Sequence, residues 1–464
     1  MFVRFSIALL CAALLCLCAC QQQQIENEAS ESTIPEPQEP LRANHSGRNF
    51  LPPNYVFEPD IPHDIVTQNV GAIGFQPFVD NLGWQTFIAL NWPAPQPITE
   101  RGVPDRQNVI GGFKQSGEGG GSTSPTGPTV WETFKNTFDI FLNPPDAPAS
   151  FNAGPIIPSD CGDQTATNVL YEYLQAFTGK PLIDQNGEKV WYQVNVNQVY
   201  FDYIVDNQFY VSTNQKGATI AFPYSSNTTS TLATVKVKAA WKVMGGAGSK
   251  QPDDPSRFYT SEALLYDPAT KTCRRELMGL VGMHVVVKTA QLPQWMWATF
   301  EHVDNAPDKD SGPVAGTQYN FYNSACTDCP VNQPPDSITS TTPTQVMRVV
   351  PVDVTAPNSV FQEALKDLRS DNVWQYYEMV NTQWGASPTP LGQPNQPKYL
   401  ANTTMETYLQ DPVDDPSAPH GCINCHGTFA GNTDLDFQME RAYPHSTTFA
   451  ERFLTNRSNS IPQD

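Results

Sequence analysis

Positive charge is scarce in this 464-residue chain: 27 Lys and Arg stand against 47 Asp and Glu, a formal net charge of −20. Nucleic-acid binding draws its affinity from clustered Lys and Arg on phosphates, so the composition argues against a nucleic-acid partner. An acidic surface suits solubility and can steer the chain toward a basic partner. Long hydrophobic runs are missing as well. The one near the N-terminus, Ser6 to Leu17, falls short of the roughly 20 apolar residues a spanning helix needs. The Gly/Ser/Pro-rich stretch from Gly111 to Pro128 lacks the Gly-Lys-Ser/Thr of a phosphate loop and reads as a flexible loop. No internal repeat is visible. With 42 prolines, the chain reads as rich in strand ends and loops rather than as a helical bundle.

The apolar run near the N-terminus has a leader's layout. Met1 to Arg4 is short and basic, Ser6 to Leu17 is apolar, and Leu17-Cys18-Ala19-Cys20 resembles a bacterial lipoprotein cleavage box. That resemblance implies cleavage before Cys20 and lipid on its sulfur. Gln21, following the modified cysteine, implies sorting to the outer membrane of a Gram-negative bacterium. Two or more acyl chains anchor stably where one does not. Residues 20–48, Gln-, Glu- and Pro-rich to about Pro40, read as a disordered tether. Without residues 1–19, which hold the single charged residue Arg4, 26 basic residues face 47 acidic ones.

Cysteine usage fits the oxidising side of a membrane. Of ten cysteines, Cys11, Cys16, Cys18 and Cys20 lie in the leader and its cleavage box. Cys161, Cys273, Cys326 and Cys329 form an even set with three possible pairings and read as structural disulfides. Cys326-Thr327-Asp328-Cys329 is followed by Pro330, so it is no second copy of the motif formed by the last pair. That motif is Cys422-Ile423-Asn424-Cys425-His426, C-x-x-C-H, the attachment signature of a c-type haem. Two thiols three positions apart can form thioethers to the haem vinyl groups, and the adjacent histidine ligates the iron. From residue identities alone this pattern would arise about 0.003 times in such a chain. The competing readings are a disulfide or half a zinc site, which would need a second ligand pair.

Apolar spacing suggests helices over Phe75–Leu90, Trp131–Phe141, Val169–Phe177, Val199–Tyr210, Val360–Leu368 and Val373–Trp384. A short helix capped by Asn402 or Thr403 runs through Leu409. Asn186-Gly187 marks a hairpin between Lys180–Asp184 and Val190–Val196. Val235 to Val243, with Lys236, Lys238 and Lys242 alternating against apolar residues, reads as a half-exposed strand, and Phe258–Tyr266 as another. Leu277–Lys288 and Trp295–Val303 can pair as an antiparallel hairpin. The expected class is therefore α+β: one large body over residues 49–410, with a central, mainly antiparallel sheet flanked by helices. A haem-attachment segment, residues 411–464, docks on it. Only 38 residues follow His426, too few to bury a haem alone, so the body should supply the distal wall.

Candidate distal ligands are His284, His302 and Met405, with Met439 and His445 further downstream; His420 lies too close to Cys422 to reach the opposite haem face. If the two central strands pair, both of their histidines can approach one site. His302, Glu301 and His284 are the candidates for acid–base work, with Asp304 beside them. Trp297-Ala298-Thr299-Phe300-Glu301-His302-Val303-Asp304-Asn305, Leu400-Ala401-Asn402-Thr403-Thr404-Met405-Glu406-Thr407 and Cys422-Ile423-Asn424-Cys425-His426 resemble a family of bacterial exported proteins identified as cytochrome c family proteins. Gly83-Trp84-Gln85-Thr86-Phe87-Ile88-Ala89-Leu90-Asn91-Trp92-Pro93 fits the same resemblance, which runs from about residue 70 to 445. It implies one covalent haem c on Cys422 and Cys425 with His426 as iron ligand, and it brings no substrate. Three functions are open: a lipid-anchored, periplasmic-side monohaem carrier passing electrons to a redox partner protein, a haem oxidoreductase or ligand sensor with an open distal site, and a non-haem binding lipoprotein.

Overall fold

Strands outnumber α-helices among the described residues, and one large sheet organises the body. The computed structural model describes residues 57–65, 75–112, 127–176, 178–228, 231–352, 357–385, 395–397, 399–410, 421–429 and 433–443. The leader (1–19), Cys20, the tether (20–48), the link from Asp411 to Pro419, His420 and His445 lie outside these residues. The strands are β1 (Lys135–Asn136), β2 (Asn168–Leu170), β3 (Trp191–Val196), β4 (Thr234–Val243), β5 (Thr260–Asp267), β6 (Thr272–Lys288), β7 (Met296–His302), β8 (Tyr377–Gly385) and β9 (Asn395–Gln396). They form one curled, half-barrel-like sheet in the order β1-β3-β4-β6-β7-β8-β9. β5 pairs with the first half of β6, and β2 joins β5 in parallel, which makes the sheet mixed.

The expected α+β class with flanking helices is therefore corrected. Among the described residues there are five α-helices: α1 (Gln76–Leu90), α2 (Gln198–Asp206), the four-residue α3 (Ser212–Gln215), α4 (Asn358–Leu368) and α5 (Cys422–Phe429). Four expected helices are not α-helices. Val373–Trp384 is a short 3₁₀ turn followed by β8, whose residues are buried on both faces. A strand covered on both sides loses the period-2 alternation that would betray it, and its apolar residues then mimic helical spacing. Val169–Phe177 begins in β2, where Asn168, Val169 and Leu170 pair with β5. Trp131–Phe141 is two 3₁₀ turns around β1, the second capped by Asn136 Oδ1 accepting from Phe138 N. The short helix after Asn402 is one 3₁₀ turn, Thr407–Leu409.

The central hairpin forms as expected: β6 and β7 pair antiparallel, with His284 opposite Thr299 and Met283 opposite Phe300. Each face of this pair has its own cover. On one face Met283, Ala298 and Phe300 meet α1, where Phe87 stacks on Phe300 at 4.1 Å and Asn91 Nδ2 donates to Met283 Sδ at 3.6 Å. Gly83 permits this close approach, since a Cβ there would lie 2.8 Å from Thr382 Cγ2 and 3.1 Å from Ala298 Cβ. α1 is itself overlaid by α4, with Trp84 stacked on Phe361 at 4.8 Å. Buried on every side, α1 is apolar most of the way round rather than along one stripe.

The opposite face carries Lys236 and Lys238 of β4, His284 and Lys288 of β6, Trp297, Thr299 and Glu301 of β7, and Gln383 of β8. The C-terminal segments cover it. Asn402 Nδ2 donates to Thr299 Oγ1 at 2.8 Å, and Gln383 Oε1 accepts from Ile423 N at 2.8 Å. β4 is thus not half-exposed. Lys236 and Lys242 are buried, because the covering layers bring them carboxylates: Asp436 at 3.0 Å and Asp253 at 2.6 Å.

Candidate functional site

Helical geometry gathers the motif. Residues three and four apart share a helix face, so Cys422, Cys425 and His426 lie along one side of α5. Both thiols are free and partly buried. Ile423 anchors the helix in the main core at 2 % exposure, and a Cβ at Gly421 would lie 2.4 Å from Gln383 Nε2, so the Gln383 amide would have to shift.

His426 is held by its ring nitrogen. Nδ1 donates to the Leu435 carbonyl at 2.7 Å, and the ring packs between Trp297 and Phe437 at centroid distances of 5.7 and 4.6 Å. A carbonyl only accepts, so the proton sits on Nδ1 and the Nε2 lone pair is left free; Nε2 has no hydrogen-bond partner among the described residues. Burial first, and the Lys236 charge second, push His426 down to about 3, which keeps the imidazole neutral. Burial and then the Glu406 carboxylate push the Cys422 thiol well above its ordinary value and Cys425 up to about 12, against the opposing charge of Lys238.

This donor set fits a covalent haem better than its rivals. A redox dithiol works through a thiolate, which burial opposes here, and a zinc site would need a second pair of ligands. A thioether sulfur is neutral and tolerates burial. Among the described residues no group of three or more His, Cys, Asp or Glu could hold a metal ion. Iron held by one imidazole within a haem does not need such a group.

The distal and acid–base candidates separate. His302 shares the alternation of Ala298 and Phe300, so it lies on the α1 face, away from Trp297 and His426. Its ring is fully buried and stacked on Phe258 at 4.1 Å. Nε2 donates to Arg257 O at 2.9 Å, and Nδ1 accepts from Asp304 N at 3.1 Å. Both nitrogens are thus committed inside the protein. Met405 is buried in a side cluster with Leu182, Tyr192, Val281 and Phe321, apart from the cluster holding Ile423 and Leu435. Glu301 is on the α5 face but fully occupied: Thr403 donates through N at 2.6 Å and Oγ1 at 2.5 Å, and Arg348 Nη2 lies 3.3 Å away. Burial raises its pKa despite Arg348. Met439 is a core residue in the turn after Phe437.

His284 remains. It sits on the face covered by α5, opposite Lys238, with Nε2 3.0 Å from Glu406 Oε1 and Nδ1 buried without a hydrogen-bond partner. Burial acts to raise Glu406, but His284 and Lys238 outweigh it and hold the carboxylate at about 2. The charges of Glu406 and Lys238 reach both motif sulfurs. The structure therefore brings His284, and not His302, onto the sheet face that carries the motif; Met405 packs on that face over Gly282 but in a cluster separate from Ile423 and Leu435.

Sequence reasoning missed Lys236, Lys238, Trp297, Gln383, Leu435 and Glu406 as parts of this site. One signal was available. Asp434 and Asp436, just past the motif, repeat the two-residue spacing of strand positions and find Lys288 and Lys236. The remaining cysteines pair as Cys161–Cys273 and Cys326–Cys329. No helix of the described residues is long and apolar enough to cross a membrane. No family model matches this chain, and no curated protein or solved structure matches it.

Proposed function

We propose that this chain is a monohaem c-type cytochrome acting in electron transfer, exported and anchored through lipid on Cys20 at the periplasmic side of an outer membrane. One observation carries the reading. His426 is fixed through Nδ1 to a backbone carbonyl with Nε2 left free, on the same helix face as two unpaired thiols. Cys422 and Cys425 would hold haem c covalently and His426 would ligate its iron, which supplies one-electron redox chemistry when bound. His284 is the distal-side residue that the packing supports. Its Glu406 partner orients the ring as an outer-shell carboxylate does. The acidic surface suits encounter with a basic redox partner.

The buried His284–Glu406 pair also supports a second reading. An imidazole with an unpartnered nitrogen, beside a carboxylate, can exchange a proton with a molecule bound at an open distal site. That would make the chain a haem oxidoreductase or sensor. The test is the visible spectrum of protein matured in a host with cytochrome c assembly, reduced and then exposed to carbon monoxide. Low-spin bands unmoved by carbon monoxide, and changed in His284→Ala, support the carrier. A shift with carbon monoxide supports the open site. Absence of haem bands refutes both.

A further inference from the structure

Left-handed backbone converges on the support of His426. Asp434 has φ 54°, Leu435 φ 65° and Trp295 φ 68°. A non-glycine residue pays for positive φ with steric strain, most of all when its side chain is bulky, and such conformations persist only where the surroundings over-determine them. Here the surroundings do. The Trp295 indole N–H donates to the Asp434 carbonyl at 2.9 Å, and the next carbonyl, Leu435 O, accepts from His426 Nδ1 at 2.7 Å. The Asp434 carboxylate accepts from Lys288 Nζ and, at 2.7 Å, from Phe222 N. Asp436 lies 3.0 Å from Lys236 Nζ, with both side chains buried, and its other oxygen caps the turn by accepting from Gln438 N at 2.7 Å. Both lysine ammoniums lie over the Trp295 ring, at 5.9 and 5.5 Å from its centroid.

We infer that Lys236, Lys288 and Trp295 are positioning residues: they force Asp434-Leu435-Asp436 into an arch that aims the Leu435 carbonyl at His426 Nδ1, fixing the ring's orientation and tautomer for iron. The inference rests on the proposed haem function. Plain docking of a C-terminal segment would need neither two consecutive left-handed residues nor three separate grips on the backbone that delivers one carbonyl. Lys236 and Lys288 belong to β4 and β6 and Trp295 immediately precedes β7, so the ligand's orientation is set from the sheet and its edge. An outer-shell hydrogen bond of this kind fixes the ring and raises its basicity as a ligand.

The test uses the full chain, matured with haem, and reads solvent exchange of the His426 ring N–H by proton NMR in the reduced protein. Lys288→Met and Lys236→Met should attach haem as the wild type does, with ring N–H exchange at least tenfold faster and a shifted midpoint potential. Lys288→Arg should restore slow exchange. Trp295→Phe removes the indole donor while keeping an aromatic core residue, and should speed exchange severalfold even if the lysine variants fail to fold. Wild-type exchange and potential in haem-loaded Trp295→Phe and Lys288→Met would overturn the inference. If the wild type carries no haem, the proposed function fails instead. The positioning is then read in the haem-free protein from the His426 ring nitrogen shifts. They should show one Nδ1–H tautomer in the wild type and a mixture in the variants; an unchanged single tautomer in the variants overturns it.

Discussion

Acidifying the protein from pH 7 to 4 should cost it the stability that a neutral His302 provides. The ring is fully buried, its Nε2–H donates to Arg257 O, and its Nδ1 accepts from Asp304 N. A proton added to Nδ1 would face that N–H donor inside the core. Burial first, partly offset by Asp304, therefore lowers His302 from 6.5 to about 4. In the unfolded chain the ring takes its proton near 6.5; in the fold it resists until about 4. Between those values the unfolded state binds more protons, so stability rises with pH. The contribution is fully present above 6.5 and is lost as pH falls through 4. The gap corresponds to about 3 kcal/mol. Other groups titrate in the same window, Asp139 and Asp184 among them, both raised by burial to about 6. Comparison with His302→Gln removes their contribution, because they are common to both proteins. Urea unfolding followed by far-ultraviolet circular dichroism at pH 7, 6, 5 and 4 gives the two stabilities. The wild-type advantage should shrink by about 3 kcal/mol between pH 7 and 4. A difference that stays flat across this range would refute the argument and return His302 to a solvated environment.

The haem bands of His302→Gln should match those of the wild type, because the ring lies on the far face of β7 from His426. Met405→Leu should also leave the spectrum unchanged and cost less than about 1.5 kcal/mol, as a volume-conserving change in a packed side cluster; a changed spectrum would make Met405 a ligand after all. Replacing Cys161 and Cys273 by Ser opens a loop spanning 112 residues and should lower stability by about 4 kcal/mol under oxidising conditions. Under reducing conditions the two proteins should unfold together. Gly83→Ala places a methyl 2.8 Å from Thr382 Cγ2, so α1 must lift from the sheet at a cost of about 1–3 kcal/mol. A melting temperature equal to that of the wild type would show that α1 does not seat there.

How much was legible depended on the range of the physics involved. The β6–β7 hairpin could be read because apolar, β-branched and aromatic runs flanking a turn are a local signal. β8 could not, because burial on both faces erased its alternation and left spacing that imitates a helix. Lys236 and Lys242 looked solvated on period alone. Their burial follows from Asp436 and Asp253, which approach only in the fold.

The sequence by itself determined the geometry of the motif. Cys422, Cys425 and His426 fall on one side of any helix that contains them, because their spacing is local. The even set formed by Cys161, Cys273, Cys326 and Cys329 was equally local, while the pairing Cys161–Cys273 was decided by chain segments 112 residues apart. Only the tertiary structure decided which residues surround the motif. His284 and His302 sit on adjacent paired strands, yet the register opposes His284 to Thr299 rather than to a residue of the His302 set. Because side chains alternate along a strand, that single choice of register sends the two histidines to opposite faces. One faces the motif beside Glu406, and the other is committed to the core beside Phe258.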